Sequence, residues 1–485
     1  MNEQLINHPP GPKGHWLRGT MREFQGDELL DTLRRYAREY GDAIRYRYFL
    51  NFHGYLFSHP EHVEHILLTN NRNYTKMPSP GNAVLKPLVG NGLLTSDGDF
   101  WLRQRRLAQP AFHRRRIAGF ADTMIAATDA MLEEWMRAAD AGRALDVSEE
   151  MMRLTLEIAG KTLFSRDLTR DAETVGEAFT EASRQIVDFT TTPFGIYLLK
   201  IPFVPSVRRM NRHIGLLDDV VHSLIDERRA LRMHGEGADE DLLDMLIDAR
   251  DEETGEGMSD KQVRDEVMTI MLAGHETTAL ALSWTFYLLS QHPEVRRRLE
   301  AEVDERLDSR TPTFADIPEL PYTTMVIEES MRIYPPAYFI SRWCNDADVV
   351  GGYDVPAGSV ISISPFMTHR HPDYWPDAER FDPERFTPEQ QAQRPRFAYI
   401  PFGGGPRQCI GNRFAMTEAI LILAMVSQRF RLELVSGHPV EPEPLITLRP
   451  KYGVLMQLER RVADGAARPQ AASESPGAGS GEPAA

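Results

Sequence analysis

The sequence predicts a mainly α-helical fold with a smaller β-rich part, an α+β architecture. From about residue 100 to residue 299, Met, Leu, Ile and Ala recur at helical spacing, with charged residues on the opposite faces. Strand-like stretches bounded by glycine and proline occur instead near the two ends of the chain. We therefore expect a large helical body and one small β-rich part built from both ends.

The elements near the ends follow from local patterns. Residues 29–40 predict a short amphipathic helix, and the alternating run 43–57, with Gly54 near its middle, predicts a β-hairpin. Strand-like pieces return at 349–363, around Gly351-Gly352 and Pro356, and again at 444–458. These pieces are the expected strands of the β-rich part.

The clearest single element is a long helix over residues 259–291. Ser259 and Gln262 form a capping-box pattern at its start, and Pro293 follows its end. Roughly 30 residues at 1.5 Å each span about 48 Å, enough to cross a whole domain. Such a long and apolar helix is expected to lie at the centre of the fold.

Composition and charge exclude several classes of protein. The chain has 485 residues, 42% of them hydrophobic and 26% charged, which is the balance of a globular protein. A net charge of −16 repels nucleic acid and, on average, an anionic membrane. The N-terminus has no signal-peptide pattern, and no run of 18 apolar residues predicts a transmembrane segment. A cytoplasmic protein is expected.

The chain is expected to form one catalytic domain over residues 1–463, followed by a tail. Residues 464–485 are almost entirely Ala, Gly, Ser, Pro, Glu and Arg, a composition that predicts disorder. The two cysteines, Cys344 and Cys409, are too far apart in sequence to suggest a CxxC zinc or redox pair.

A polar segment, Gly274-His275-Glu276-Thr277-Thr278, interrupts the long helix. One interpretation is a kink, because glycine weakens a helix and threonine can bond back to the preceding turn. The other is a proton path or a bound polar ligand, because an unpartnered buried Glu276 would be costly. A zinc-protease HExxH motif is excluded, because Ala279 replaces the second histidine.

A glycine-rich loop at residues 402–411 leads through Cys409 into an apolar segment. It lacks the GK[ST] ending of a phosphate-binding loop, and Gln408 stands where a dinucleotide fingerprint has its third glycine. Glycines allow a ligand to approach the backbone, and a lone thiolate suits one axial position of a haem iron. Burial of Cys409 as a small apolar side chain is the alternative.

Together these motifs resemble those of the cytochrome P450 haem-thiolate monooxygenases, in the style of the fatty-acid-hydroxylase and microsomal-like branch. The loop matches FxxGxRxCxG, and the long helix carries AGxET. Three further matches are ExxR at 329–332, FxPERF at 381–386, and WxxxR at 101–105. All five occur in the family's order across residues 101–411.

The resemblance implies haem b with Cys409 as its axial thiolate and metal ligand. It further implies haem contacts from Trp101, Arg105, Ala273, Gly274, Arg342, Phe402, Gly405, Arg407 and Gly411, among which Trp101, Arg105, Arg407 and Arg342 would face the propionates. Covalent haem attachment is not expected, because the glutamate that forms the ester in one branch is replaced by Ala273. Glu329, Arg332 and Arg385 would form a buried structural network.

The implied reaction inserts one atom of dioxygen into an apolar substrate, fatty-acid-like or terpenoid-like. Thr277 and Glu276 would guide the protons, and a separate ferredoxin- or flavodoxin-type donor with its NAD(P)H reductase would supply the electrons. A peroxide-driven oxygenase and a non-catalytic haem protein are the alternatives. The acid and alcohol at Glu276 and Thr277 favour the monooxygenase over the non-catalytic protein.

Overall fold

The structure is a computed structural model that describes residues 7–15, 19–24, 26–49, 52–192, 195–234, 241–250 and 255–461. The tail expected at 464–485 lies outside these residues, so its disorder and the domain limits stay predictions.

Helices form most of the described chain. They are α1 (Leu29–Tyr40), α2 (Pro60–Glu64), α3 (Pro80–Val89), α4 (Gly98–Ala108), α5 (Arg114–Asp140), α6 (Val147–Leu163), α7 (Ala172–Thr191), α8 (Gly195–Leu198), α9 (Pro205–Met233), α10 (Leu242–Asp248), α11 (Asp260–Gln291), α12 (Pro293–Leu307), α13 (Pro321–Ile333), α14 (Pro365–Thr368), α15 (Pro388–Ala392) and α16 (Asn412–Arg429). The predicted mainly helical fold with a small β-rich part is confirmed.

The strands are short and fall in small sheets. They are β1 (Ala43–Phe49), β2 (Phe52–Phe57), β3 (Tyr74–Thr75), β4 (Leu145–Asp146), β5 (Ile340–Cys344), β6 (Asp348–Val350), β7 (Tyr353–Val355), β8 (Val360–Ile363), β9 (Phe430–Leu434), β10 (Pro442–Pro444), β11 (Leu448–Pro450) and β12 (Leu455–Arg460). The largest sheet has the order β1-β2-β8-β5-β3, in which β2 and β8 run parallel and the other neighbours antiparallel.

The expectation of one β-rich part made from both ends is wrong in one respect. The N-terminal hairpin pairs with strands of the 340–363 region, whereas β12 pairs with β9 and β4. Among the described strands, β10 pairs with β11 alone. Gly54 lies within strand β2 opposite Tyr46, where an added Cβ would stand 2.3 Å from the tyrosine ring. This glycine is therefore needed for close packing and does not form the turn.

Helix α11 lies at the centre of the fold, as its length predicts. The Ser259 hydroxyl accepts the Gln262 N–H and the Gln262 side chain accepts the Ser259 N–H, which completes the predicted capping box. Most α11 side chains are buried, and the helix packs on α6, α9, α13 and α16. Burial on nearly all sides explains why its sequence lacks a continuous polar face.

A buried ion network ties α13 to the loop that precedes the glycine-rich segment. Arg332 binds Glu329 through two contacts, Nε to Oε2 at 2.6 Å and Nη2 to Oε1 at 2.8 Å, and both side chains are fully buried. The Nε of Arg385 approaches Glu329 Oε1 at 3.4 Å, and the N–H of Asp382 donates to the same oxygen. The structure therefore brings the three expected network residues together.

Candidate active site

A cavity of about 560 Å³ lies between α11 and the loop that carries Cys409. Its walls come from α3, the segment 93–105, α7, the turn and strand at 336–342, and the start of α16. Nearly all of the predicted site residues line it: Trp101, Arg105, Ala273, Gly274, Glu276, Thr277, Arg342, Phe402, Arg407, Cys409 and Gly411. Gly405 does not line the cavity; with a φ of +67°, it packs its Cα against the carbonyl of Leu67.

The polar segment of α11 stays helical where it crosses the cavity. The Thr277 hydroxyl donates to the carbonyl of Ala273 at 2.8 Å, which keeps the Oγ beside the open space. An added Cβ on Gly274 would meet nothing within 4 Å, so glycine leaves room at the cavity surface. A helix that runs through from Asp260 to Gln291 does not support the kink interpretation.

The loop at 402–411 holds Cys409 at the cavity surface. The Cys409 N–H donates to the carbonyl of Phe402 at 2.9 Å, which closes the loop. Burial raises the pKa of the Cys409 thiol, while the Gly411 N–H and the Arg105 guanidinium act in the opposite direction and favour the thiolate. The accessible surface of Cys409 faces the cavity rather than the outer surface.

The second cysteine lies elsewhere. Cys344 is buried at the end of β5, and its S–H donates to the carbonyl of Asp346 at 3.0 Å. Burial raises its pKa to about 11. Cys344 is thus a small buried side chain, and Cys409 is the cysteine that faces the cavity.

Positive charge is concentrated at one edge of the cavity. Lys76, Arg342 and Arg407 line it, while Asp97 accepts Arg407 Nη2 at 2.6 Å and the Lys76 and Met77 N–H groups. Burial and mutual repulsion lower the pKa of Lys76 strongly and that of Arg342 to about 10. With Asp97 as the partner carboxylate, this edge is left with two surplus positive charges when Lys76 is protonated.

Sequence reasoning missed Lys76 and Asp97. Neither belongs to one of the five motifs, and the fold alone brings Lys76 close to Arg342 and Arg407.

Arg105, which was expected to face a propionate, lies closer to the cysteine, because its Nη1 donates to the carbonyl of Gln408, next to Cys409. The guanidinium of Arg407 stacks 4.3 Å from the Trp101 ring, so these two expected partners also support each other.

Glu276 is buried and lies under the β10–β11 hairpin. Burial raises its pKa to about 7, while the Arg449 guanidinium and the Thr447 hydroxyl act to lower it. Arg449 in turn binds the Thr180 hydroxyl on α7 and lies 3.8 Å from Glu443. The carboxyl therefore titrates near neutral pH.

The resemblance to the family predicts that residues 74–94, 189–199 and 337–340 enclose the substrate space, and the cavity differs from this prediction in part. Residues of 74–94 and 337–340 line the cavity as predicted from the family fold. Of the stretch 189–199, Thr190 lines it, whereas Phe189 is buried in the core and Phe194 lies outside the described residues. The wall from α7 is instead built by Phe179, Ile186 and Val187, which lie about one to three helical turns before Thr190.

Comparison with known proteins assigns the chain to a family. The family model described as cytochrome P450 matches residues 9–456, and the chain belongs to the cytochrome P450 family. Cyclooctatin synthase of Streptomyces melanosporofaciens is 40% identical over 81% of this chain and 84% of that protein. Cyclooctat-9-en-7-ol 5-monooxygenase of the same organism is 41% identical over 79% and 81%, and rat cytochrome P450 4F6 is 37% identical over 77% and 73%.

The protein is accordingly a haem-thiolate monooxygenase, an oxidoreductase that uses dioxygen and electrons from a redox partner. Within the described ranges, no helix is long and apolar enough to cross a membrane. No group of three or more His, Cys, Asp or Glu side chains there could hold a further metal ion.

The residues present fit a haem. The cluster of Lys76, Arg342 and Arg407, which carries two surplus positive charges once Lys76 is protonated, matches the two propionates of the group. Gly274 leaves open space at the side of the cavity away from Cys409. Buried cations without counter-charges are costly, so the cation cluster gains most when a dianion is bound.

We expect Lys76→Met to weaken haem binding while changing the stability of the apoprotein little. Burial, Arg342 and Arg407 already disfavour the charged form of Lys76 in the apoprotein, so its replacement should cost little there. It should weaken haem binding by at least about tenfold, the equivalent of 1.4 kcal/mol for a lost charged contact. Unfolding by denaturant and haem transfer to apomyoglobin measure the two quantities. Lys86→Met, at an exposed lysine of α3, is the control and should change neither.

Proposed function

We propose that this protein hydroxylates a neutral, largely apolar, terpenoid-like molecule, with haem b bound through Cys409. The observation that carries the proposal is the cavity, which has a lone cysteine on one side, a glycine and an acid–alcohol pair on the other, and apolar walls between them. Ala273 offers no carboxylate for an ester bond, so the haem would be held without a covalent link other than the axial thiolate.

When bound, haem iron with a thiolate ligand supplies the activation of dioxygen. In our proposal Cys409 is that ligand, and Lys76, Arg342, Arg407 and Trp101 hold the propionates. The apolar walls exclude water and orient the substrate below Gly274. Glu276 and Thr277 hold and move protons at this face, Glu276 at its carboxyl and Thr277 at its hydroxyl.

The assignment of Cys409 is tested by its replacement. Cys409→Ser should abolish the strongly red-shifted Soret band of the ferrous carbonyl complex, because an alkoxide or hydroxyl is a weaker donor than a thiolate. Cys344→Ser is the matched control and should keep that band. A band that survives in the first variant and disappears in the second would assign the ligand to Cys344.

Proton delivery is tested on Thr277 and Glu276. Thr277→Ala and Glu276→Gln should keep haem and divert electrons from NAD(P)H to peroxide, since a positioned acid–base group typically contributes about 10²–10⁴-fold. Thr285→Ala is the control: the Thr285 hydroxyl likewise donates to a carbonyl one turn earlier, that of Ala281, but Thr285 does not line the cavity. Wild-type coupling should fall as pH rises through about 7, where Glu276 loses its proton, and Glu276→Gln should lack this inflection.

The charges of the cavity favour a neutral substrate over a fatty acid. In the described part of the chain, the cations that line it are Lys76, Arg105, Arg342 and Arg407, all at the haem edge or beside Cys409. A substrate carboxylate in the apolar region would have no cationic partner there and would face Glu276. The name of one relative, cyclooctat-9-en-7-ol 5-monooxygenase, describes oxygenation of an unsaturated alcohol, which agrees with a neutral substrate.

A matched pair of ligands tests the substrate class. Geranylgeraniol should shift the haem spectrum at a concentration at least about tenfold lower than geranylgeranoic acid, because burying an unpaired carboxylate costs more than 1.4 kcal/mol. Spectral titration at pH 7.5 measures both affinities. Equal or tighter binding of the acid would contradict the neutral-substrate proposal.

The electron donor is proposed to be an acidic ferredoxin or flavodoxin that docks on the Cys409 side. Phe112 lies against Gly411, so Arg114 and Arg115, which follow it at the start of α5, are exposed near the cysteine loop together with Arg413. The resemblance to the family also predicts Arg394 on this face, but its guanidinium stacks on Trp375 and binds the carbonyl of Arg385.

Charge reversal tests this docking face. Arg115→Glu should slow reduction by the donor, and rising ionic strength should slow reduction of the wild type, because rim charges act mainly on the association rate. Arg137→Glu is the control: Arg137 is exposed near the other end of α5, about 33 Å along the helix. Reduction rates that respond to neither change would place the donor elsewhere.

A further inference from the structure

The cavity extends beyond the helices around Cys409 to a group of side chains from the N-terminal part of the chain. Met21, Phe24, Leu29, Tyr46 and Tyr48 line it there, and we call these residues the β1 end of the cavity. They belong to an apolar cluster separate from the one that surrounds α11. The β1 end is therefore distinct from the part of the cavity beside the polar turn of α11.

Buried hydroxyl groups follow one another at the β1 end. The Tyr46 hydroxyl lies 2.8 Å from the Ser362 Oγ on β8, and the ring centroids of Tyr46 and Tyr48 are 5.4 Å apart. Tyr46 reaches β8 across the intervening strand β2, where Gly54 has no side chain to block its ring. The pairing of β1 with β2 is irregular at Tyr48, and irregularities of this kind commonly redirect a side chain next to a site.

The Tyr48 hydroxyl is the last group of this series. Burial raises the pKa of Tyr48 to about 12 and raises that of Tyr46 strongly, whereas Ser362 acts to lower the pKa of Tyr46 and Tyr46 that of Tyr48, which is the effect of a donor. The donor order is therefore Ser362, Tyr46, Tyr48. Among the residues that the structure describes, none accepts a hydrogen bond from the Tyr48 hydroxyl. Tyr48 is only 7% exposed, and a buried donor without an acceptor is costly.

Most of the other hydroxyl groups in the described cavity wall are hydrogen-bonded within the protein. They are those of Tyr46, Thr190, Thr269, Thr277, Thr278, Tyr338 and Ser341. The Thr447 hydroxyl acts on Glu276. Tyr338 is the clearest contrast, because its hydroxyl donates to the carbonyl of Leu445 at 2.6 Å and its proton is not available to a ligand. Tyr48 is thus the tyrosine of this wall that has a proton to donate into the cavity.

We propose that Tyr48 donates a hydrogen bond to an oxygen atom that the substrate already carries when it binds. This inference rests on the proposed function and adds that the neutral, terpenoid-like substrate is an alcohol. An apolar cavity orients its ligand through a few polar groups, and Tyr48 is such a group at the β1 end. An acid fits less well, since one neutral donor does not compensate the desolvation of a carboxylate.

The position of Tyr48 has a consequence for the reaction. An alcohol held at the β1 end directs the rest of the carbon skeleton along the apolar walls, toward Gly274 and the Cys409 loop. Oxidation then takes place at a carbon remote from the alcohol. The protein accordingly acts after a reaction that has introduced a hydroxyl group into the skeleton.

Spectral titration of the haem-loaded protein with two probes tests the inference. The probes are geranylgeraniol and the hydrocarbon in which a hydrogen atom replaces its hydroxyl group. Tyr48→Phe keeps the ring and should weaken geranylgeraniol binding by about fivefold, the usual effect of one neutral hydrogen bond, while leaving hydrocarbon binding unchanged. Tyr55→Phe is the matched control and should affect neither probe, because the Tyr55 hydroxyl contacts His8 and Tyr55 does not line the cavity.

The oxidation products provide a second readout, which a purely structural role of Tyr48 would not alter selectively. Tyr48→Phe should spread the oxidation of geranylgeraniol over more positions and leave the products of the hydrocarbon unchanged. Equal weakening of both probes, or an unchanged affinity and product pattern for geranylgeraniol, would overturn the inference while the proposed function stands. A wild-type spectrum that neither probe shifts would contradict the proposed substrate class itself, and with it this inference.

Discussion

Helix α11 must carry a polar turn through an apolar core, and the rest of the site depends on how that turn is kept helical. The hydroxyls of Thr277 and Thr278 donate to carbonyls one turn earlier, which satisfies these polar groups within the helix while the cavity opens beside them. The packing of α11 on α6, α9, α13 and α16 compensates for the weak helix propensity of glycine and threonine. A shift or break of this helix would move the acid–alcohol pair and Gly274 away from the cavity together.

Buried charges are compensated in two different ways in this fold. Glu329 is satisfied within the protein, by Arg332, the approaching Arg385 and the Asp382 N–H, so that network supports the fold by itself. Lys76, Arg342 and Arg407 share Asp97 and keep a surplus of positive charge at the cavity edge. The first arrangement is complete without a ligand, whereas the second is complete only with an anionic group. This difference separates a structural network from a binding site.

Sequence patterns predicted the elements whose signal is local. The 259–291 helix was predicted almost to the residue, because a capping box and a following proline mark its ends and its apolar length marks its position. The 29–40 helix and the hairpin strands were predicted for similar reasons. Strand pairing was not, because which edge accepts β12 or β10 depends on neighbours distant in sequence. The α7 wall was misplaced for the same reason, since a helix face is selected by its packing.

The sequence by itself determined the family, the helical class of the fold and the residues of the five motifs, because each motif is a short, fixed spacing whose chemistry can be read without a partner. Only the tertiary structure decided which further charges meet the predicted arginines at the cavity edge. Lys76 and Asp97 are 21 positions apart and join Arg342 and Arg407 far along the chain, so no local pattern marks them. Tyr46 and Tyr48 look like ordinary core residues in the sequence, and the fold alone places them beside Ser362 and the cavity. Electrostatic and packing energies depend on the distances between groups in space, and the fold sets those distances.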